Sequence, residues 1–466
     1  MALGRREGQS QETMWIATWD LPTSPGHPFY EKLNGLLAKA GFDKFVEALC
    51  KPFYADGVGR PGIAPGVYFR MLLVGYFEGL DSQRGIAWRC ADSLSLRAFL
   101  GVRLGEQTPD HSSLTVIRQR LPLEVHQQVF VKILDIARAH GLVKGKRVAI
   151  DATTLEANAA MKGIVRKASG EDWKAYLARL AKEAGIDDPS DEDLRRFDRK
   201  RQDKKVSNDD WHSPSDPDSR IVRMKDGRTH LGYKAEHAID LDTRVLLAAE
   251  IHAGDRSDCE TVEDTLVQAQ RNVYQAGADV EIEELAADKG YHKTENLAVL
   301  EAWLIRTYIA EPKSTRRRRW VGRPEGQREA VYGNRRRCRG DYGKGLQRLR
   351  SEQVERSFAH TCDTGGARRR WIRGLIENAK RYLITGAGHN LGVIMEKVFG
   401  VGKPRALQGA AALAELLHAA VSGLYGVHTT LIRLVRPVIP SECVGRAFFQ
   451  TRIASPVPMV TASRAA

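Results

Sequence analysis

Apolar positions recur at helical spacing from Pro28 onward. Phe29, Leu33, Leu36, Leu37 and Ala40 fall on one side before Gly41 closes the segment, and Phe42, Phe45, Val46 and Leu49 repeat the pattern. After a Gly/Pro-rich turn over 57–66, Val67 to Leu80 is apolar almost throughout and predicts a buried helix, with shorter helices at Ser82 to Cys90 and Ser93 to Leu100. Asp110 or a following Ser can cap a helix carrying Leu114, Ile117 and Leu121, and a longer helix spans Leu123 to His140. Residues 1–27 show no such period and are expected to be poorly ordered.

The period then changes. Arg147 to Ile150 is a short β-prone run that ends in Asp151 and the small residues Ala152, Thr153 and Thr154. An insert over about 160–228 follows, with two predicted helices, at Ser169 to Gly185 and Asp191 to Gln202, and a Pro/Asp-rich loop over Val206 to Ser219. Leu231 to Asp240, a turn at Leu241–Thr243 and Val245 to Ile251 predict a β-hairpin. Asp255 or Ser257 caps a helix running to Ala276. Ile282 to Ala287 then repeats the first device, a strand followed at once by Asp288-Lys289-Gly290-Tyr291. Leu304 to Ala310 predicts a further strand, and Leu349 to His360 a helix bearing Glu355.

Composition narrows the partner. The 466 residues carry 72 Lys+Arg against 58 Asp+Glu, a formal net charge of +14, which favours a polyanion. Much of the excess lies in 311–350, where Arg316 to Arg319 and Arg335 to Arg337 are separated by glycines. This tract reads as a basic loop able to follow a phosphate backbone, or as a solvated tract with no partner. A helix-turn-helix role for Arg118 and Arg120 competes with a plain solvated helix face. The six cysteines show no CxxC spacing, which argues against a zinc ribbon or disulfide framework and fits a reducing cytoplasm. No secretory signal precedes Trp15. The Ala/Gly-rich stretch 406–427, interrupted by Gln408, Glu415 and His418, reads as a packed soluble helix and not a membrane span.

Strand with Asp151, hairpin, helix, strand with Asp288, strand, helix with Glu355: in this order the chain resembles the ribonuclease-H-like core. The neighbourhoods Ile150-Asp151-Ala152-Thr153, Ala287-Asp288-Lys289-Gly290-Tyr291 and Val354-Glu355-Arg356-Ser357-Phe358 resemble the three signatures of bacterial insertion-sequence transposases of the DDE type. Asp363-Thr364-Gly365-Gly366, Arg368 to Arg370 and Asn378 to Tyr382 are similar to one branch of them, and the likeness covers about residues 30–395. Many relatives place an Arg shortly before the catalytic Glu and a Lys two turns after it. Ser351 and Cys362 stand near those places here, leaving Arg348, Arg350, Arg356 or Arg368 as substitutes.

The resemblance implies an α/β fold: a ribonuclease-H-like mixed sheet flanked by helices, preceded by an all-α N-terminal domain (28–140), with a catalytic domain over 141–400 and a C-terminal helical segment and tail over 401–466. It implies Asp151, Asp288 and Glu355 as catalytic residues and as ligands of two Mg²⁺ ions, with Mn²⁺ able to substitute, and Asp151 as the ligand shared between them. Two such ions can serve both ends of an in-line phosphodiester displacement. Candidate DNA contacts are Arg118, Arg120, Arg316, Arg317, Arg318, Arg319, Arg335, Arg336 and Arg337. Lys234, Lys289, Tyr291, Arg356 and Arg368, within or between the motifs, complete the set. The implied partner is double-stranded DNA, element ends and target alike. The implied protein is a homodimer on DNA in a bacterial cytoplasm, associated with the nucleoid when bound. Two alternatives stay open, a ribonuclease-H-like nuclease without strand transfer and a non-catalytic DNA-binding descendant. At single residues, Asp288 could merely cap a turn, and Glu352 competes with Glu355 one turn earlier. Asp240, Asp255 and Asp258 are accounted for by a hairpin turn and a helix cap, and His292 and His360 by surface or packing roles.

Overall fold

A computed structural model describes residues 26–55, 62–202, 207–224, 226–313 and 318–405. The chain divides into units 1–404 and 405–466, and apart from Arg405 everything described belongs to the first. The expected C-terminal segment and almost all of the N-terminal stretch 1–27 lie outside the described residues.

The predicted helical series is present: α1 (Pro28–Lys39), α2 (Phe42–Cys50), α3 (Pro65–Glu78), α4 (Gln83–Asp92), α5 (Leu94–Leu100), α6 (His111–Arg120) and α7 (Leu123–Ala139). Local chemistry sets their ends. Ser82, Ser93 and Asp110 each accept a hydrogen bond from a first-turn amide of α4, α5 and α6. Gly79 closes α3 in the left-handed conformation (φ 70°), where a Cβ would be strained. Helix α3 is buried nearly all round, and its one buried cation, Arg70, forks onto both oxygens of Asp43 at 2.8 and 3.0 Å.

Next comes β1 (Arg147–Glu156). Contrary to expectation, the strand does not end at Asp151 but runs five residues further. The cause is on its other edge, where residues from Ala152 to Glu156 pair with the partner strand of the hairpin. The insert contains α8 (Trp173–Glu183) and α9 (Asp191–Lys200), joined over a small core of Leu177, Ala181 and Leu194. It is not purely helical. Its base is closed by the antiparallel pair β2 (Val165–Arg166) and β3 (Trp211–His212), the latter inside the segment expected to be loop, and β4 (Arg220–Arg223) joins the main sheet.

The hairpin is β5 (Thr229–Asp240) and β6 (Leu246–Ala253), followed by α10 (Asp258–Gln275), capped by a Ser257/Glu260 capping box. Then come β7 (Glu284–Ala287), α11 (Thr294–Ala302) and β8 (Arg306–Ile309). The sheet order is β5-β1-β7-β8, with β4 and β6 sharing the outer edge of β5. β5 is antiparallel to β1, and β1, β7 and β8 are parallel. The tract 311–350 departs most from expectation: from Gln327 it is helix, α12 (Gln327–Arg339) and then α13 (Asp341–Phe358), so the Glu355 helix begins eight residues before Leu349. The long α14 (Leu375–Phe399), buried at Asn378 and from Lys380 to Met395, packs on α3, α7 and β6. The result is a mixed sheet flanked by helices behind a helical N-terminal part, as the resemblance implied. Among the described residues no helix is long and apolar enough to cross a membrane.

Candidate active site

Period-2 alternation assigns the faces. Asp151 is directly opposite His237 across the β1/β5 ladder, so the two side chains share the face covered by α13 and α14. His237 stacks on Phe358 (centroids 4.1 Å apart) and bonds Ser357 Oγ at 2.9 Å and the Tyr382 hydroxyl at 2.7 Å. The parallel ladder to β7 stops at Ala149 opposite Ala286, and two residues further in that register bring Asp288 beside Asp151.

Asp151 Oδ1 accepts from the Ala152 amide at 2.8 Å, and Oδ2 from Arg350 Nη1 on α13 at 2.8 Å. Burial pushes Asp151 above the usual carboxylate range. The Ala152 amide and Arg350 pull it down, and the nearby charge of Asp288 pushes it up again. Asp288 Oδ1 accepts from the Gly290 amide at 2.7 Å and so caps the 3₁₀ turn Lys289–Tyr291. The cap engages Oδ1, and a carboxylate has two oxygens with several acceptor sites, so capping the turn and holding a cation beside Asp151 are compatible. Gly290 leaves no room for a side chain, since a Cβ would lie 2.5 Å from Asp258 Oδ2 and 3.0 Å from Asp288 Oδ1.

Glu355 stands apart. It is exposed on α13, five residues beyond Arg350, and accepts from Ser351 Oγ at 3.2 Å. Its competitor Glu352 is also exposed and pairs with Arg356 at 3.2 Å. The fold thus brings Asp151 and Asp288 together and carries Glu355 on the helix that touches Asp151, without joining it to them. Among the described residues no group of three His, Cys, Asp or Glu side chains is placed to hold a metal ion. The donor chemistry of the aspartate pair nevertheless fits a hard divalent cation: oxygens only, like charges side by side, and a guanidinium already drawn in as counter-charge.

The expected DNA contacts divide. Arg118 is buried, with Nε 2.7 Å from Glu377 Oε2, and Lys234 is buried on Asp258 Oδ1 at 2.7 Å. Tyr291 is buried with its hydroxyl on Glu236 Oε1 at 2.7 Å. In this fold these three face the interior, because each meets a carboxylate that burial would otherwise leave uncompensated. Arg318 and Arg335 converge on Glu311, Arg337 donates to the Thr307 carbonyl at 3.0 Å, and Arg120 lies 4.8 Å over the Tyr54 ring. Lys289, Arg319, Arg336 and Arg356 are exposed. Arg368 bonds Asp363 and reaches Thr153 Oγ1, two residues past Asp151, at 3.1 Å. Arg316 and Arg317 lie outside the described residues.

Comparison with known proteins adds the deciding observation. A model described as "Transposase DDE domain" matches residues 144–387, more than half of the chain and the whole span from β1 into α14. The chain belongs to the DDE transposase family. A second model, "Transposase domain (DUF772)", matches residues 21–120 of the transposase, which contain α1 to α6. No curated protein and no solved structure matches. Family membership makes the sheet ribonuclease-H-like and divalent-metal-dependent action on DNA the general expectation.

Sequence reasoning passed over three residues of this site, His237, Glu236 and Gln347. The first two had a signal. Strand β5 alternates Lys234, Glu236 and Tyr233, Ala235, His237 on faces that are both buried, and charged groups inside a doubly covered strand mark a polar network.

Proposed function

We propose that this transposase cleaves DNA at the ends of its insertion sequence and joins the freed 3′-hydroxyl to target DNA. Asp151, Asp288 and Glu355 are its catalytic acids, and it acts as a dimer on DNA in the cytoplasm. The observation that carries the reading is the nearness of Asp151 on β1 to Asp288, the residue that follows the parallel neighbour β7: the charge of Asp288 acts on Asp151, and Asp151 bonds Arg350. Asp151 and Asp288 would hold Mg²⁺, and Glu355 would join them by turning from Ser351 toward the pair. A bound divalent ion supplies Lewis-acid stabilisation of the phosphodiester oxygens and lowers the pKa of the attacking water. The protein's own part is to hold these carboxylates in register and to present cations along the strand that leaves them. Arg368 at Thr153, with exposed Lys289 and Arg356 beside the motifs, suits a phosphate backbone.

The test is cleavage of a labelled duplex carrying the element's ends, with Mg²⁺ or EDTA, by the wild type and by Asp151→Ala, Asp288→Ala and Glu355→Ala. The expected outcome is metal-dependent 3′-hydroxyl release, lost by about 10²–10³-fold in each variant, with DNA affinity kept. A variant as active as the wild type removes that residue from the site. DNA binding without cleavage by the wild type would make the protein a DNA-binding descendant, and cleavage without joining a nuclease.

A further inference from the structure

Behind the candidate site, on the opposite face of the sheet, lies a buried polar network that the reaction itself does not explain. Glu236 precedes His237 on β5, so its side chain leaves the face away from Asp151. It is 0% exposed. Its oxygens accept from Thr261 Oγ1 at 2.8 Å and from Thr265 Oγ1, both on α10, and from the Tyr291 hydroxyl at 2.7 Å. Lys234 Nζ, 3.4 Å from Glu236, also holds Asp258 Oδ1 and Thr261 Oγ1. Burial alone would raise Glu236. His252, the charge of Lys234, Thr265 and Tyr291 outweigh it and bring the carboxyl down to about 2, so it is ionised at neutral pH.

An ionised carboxylate held by donors from several elements is a stiff reference point. Tyr291 ties the Asp288 turn to that point. The turn is further fastened by Cys259 Sγ, 3.1 Å from the Gly290 carbonyl, and by the close approach of Asp258 to Gly290. One strand therefore carries the cross-strand neighbour of Asp151 on one face and the anchor of the Asp288 turn on the other.

We infer that Glu236 and Tyr291 are positioning residues, whose hydrogen bond sets the place of the Asp288 carboxylate against that of Asp151. Tyr291 serves the acids of the site and not the DNA. The inference rests on the reading of Asp288 as a catalytic metal ligand.

The test compares full-length Tyr291→Phe with Tyr233→Phe. Tyr233 also donates a buried hydroxyl to a carboxylate, Asp216 Oδ1 at 2.7 Å, from the same strand, but that bond ties the strand to the insert. Manganese affinity is measured on the DNA-free protein by the paramagnetic resonance of the free ion, DNA affinity in EDTA, and kcat by end cleavage. Tyr291→Phe is expected to weaken Mn²⁺ binding and lower kcat by about 10-fold each, the usual scale for losing a group that orients a metal ligand, with DNA affinity unchanged. Tyr233→Phe is expected to lose melting temperature to a similar extent and keep its Mn²⁺ affinity. Glu236→Gln, which keeps the shape and removes the charge, should move Mn²⁺ affinity in the same direction as Tyr291→Phe. Equal Mn²⁺ losses in the two tyrosine variants would reduce Tyr291 to a packing residue and overturn the inference. So would a Tyr291→Phe protein that bound DNA more weakly with Mn²⁺ affinity intact. Full cleavage by Asp288→Ala would instead overturn the reading of the site, and the inference with it.

Discussion

Asp151 and Arg350 meet although 199 residues separate them. Arg350 Nε also bonds Gln347 Oε1 at 3.1 Å, and the Gln347 amide nitrogen donates to the carbonyls of Ala287, at 3.0 Å, and Tyr308. One short stretch of α13 thus fastens the ends of β7 and β8 and delivers a cation to the aspartate pair. With side-chain exposures of 13% and 27%, Arg350 and Asp151 are only partly screened by water. Arg350→Gln leaves the pair without its counter-charge, and the metal-free protein is expected to lose about 1–3 kcal/mol of stability. Mg²⁺ should then raise the melting temperature more in the variant than in the wild type, because the ion no longer competes with a guanidinium. Equal Mg²⁺ gains in both would show that the two cations do not share the space. At this scale the aspartates were legible, since each directly follows a short apolar run. Arg350 was one of four arginines with equal claims, and the pairing across the fold that singles it out leaves no local trace. Glu355 was legible as a motif residue, but nothing in the motif foretold that its side chain would lie on the solvent side with Ser351.

The tract 311–350 shows how an element can be misread. Its arginines and glycines read as a loop, yet α12 forms because its inward side, Ala330, Val331 and Asn334, is satisfied by the edge of the sheet. Asn334 accepts from the Ile309 amide at 2.9 Å and donates to the Ile309 carbonyl at 2.8 Å, so its side chain acts as a strand partner for β8. Gly333 is helical, and Arg335 and Arg337, which follow Asn334, are drawn to Glu311 and Thr307, partners 24 and 30 residues away. Only Ala330 and Val331 of that inward side are apolar, too little to outweigh the glycine and charge signal when read alone. Asn334→Ala would take the side-chain partner from the Ile309 amide and leave the Ile309 carbonyl to the weak Sγ donor of Cys338 at 3.5 Å, and the expected cost is roughly 1–3 kcal/mol. Urea unfolding checks this, and a loss below about 0.5 kcal/mol, the scale of an ordinary surface change, would mean that α12 holds to β8 by other contacts. The hairpin and α10, by contrast, were legible nearly to the residue. Alternation, a three-residue turn and a capping box are local signals, and the fold leaves them in place.

Across the whole molecule, α14 fastens the helical N-terminal part to the sheet. Arg381 spans to the carbonyls of Leu72 and Leu80, Glu377 pairs with Arg118, and Lys380 donates to the Arg118 carbonyl. These charges sit inside, so part of the +14 balance is spent on assembly and not on DNA. The same interior buries imidazoles: His126, bonded to Tyr68 and the Pro122 carbonyl; His237 at Ser357 and Tyr382; and His389 at the Arg244 carbonyl. Burial is the main cause that lowers each of them, His126 to about 4, His389 to about 3 and His237 well below its ordinary value. Between the ordinary imidazole value near 6.5 and these depressed ones, the unfolded chain binds more protons than the folded chain. Stability from these groups is therefore complete above about pH 6.5 and drains as pH falls toward 4, at up to about 1.4 kcal/mol per pH unit for each histidine. Asp151, Asp240 and Glu250, raised by burial, act in the opposite sense, because their folded forms hold protons that the unfolded chain has released. Their window runs from the ordinary carboxylate values near 4 up to their raised folded values, so on acidification they offset part of what the buried imidazoles lose. The urea midpoint is expected to fall between pH 7 and pH 5, and His126→Gln should flatten that slope in part only, because His360, lowered to about 4, and His292, also lowered, act in the same sense. A midpoint that held level or rose on acidification would mean that the raised carboxylates, and not the buried imidazoles, govern the acid limb of this fold.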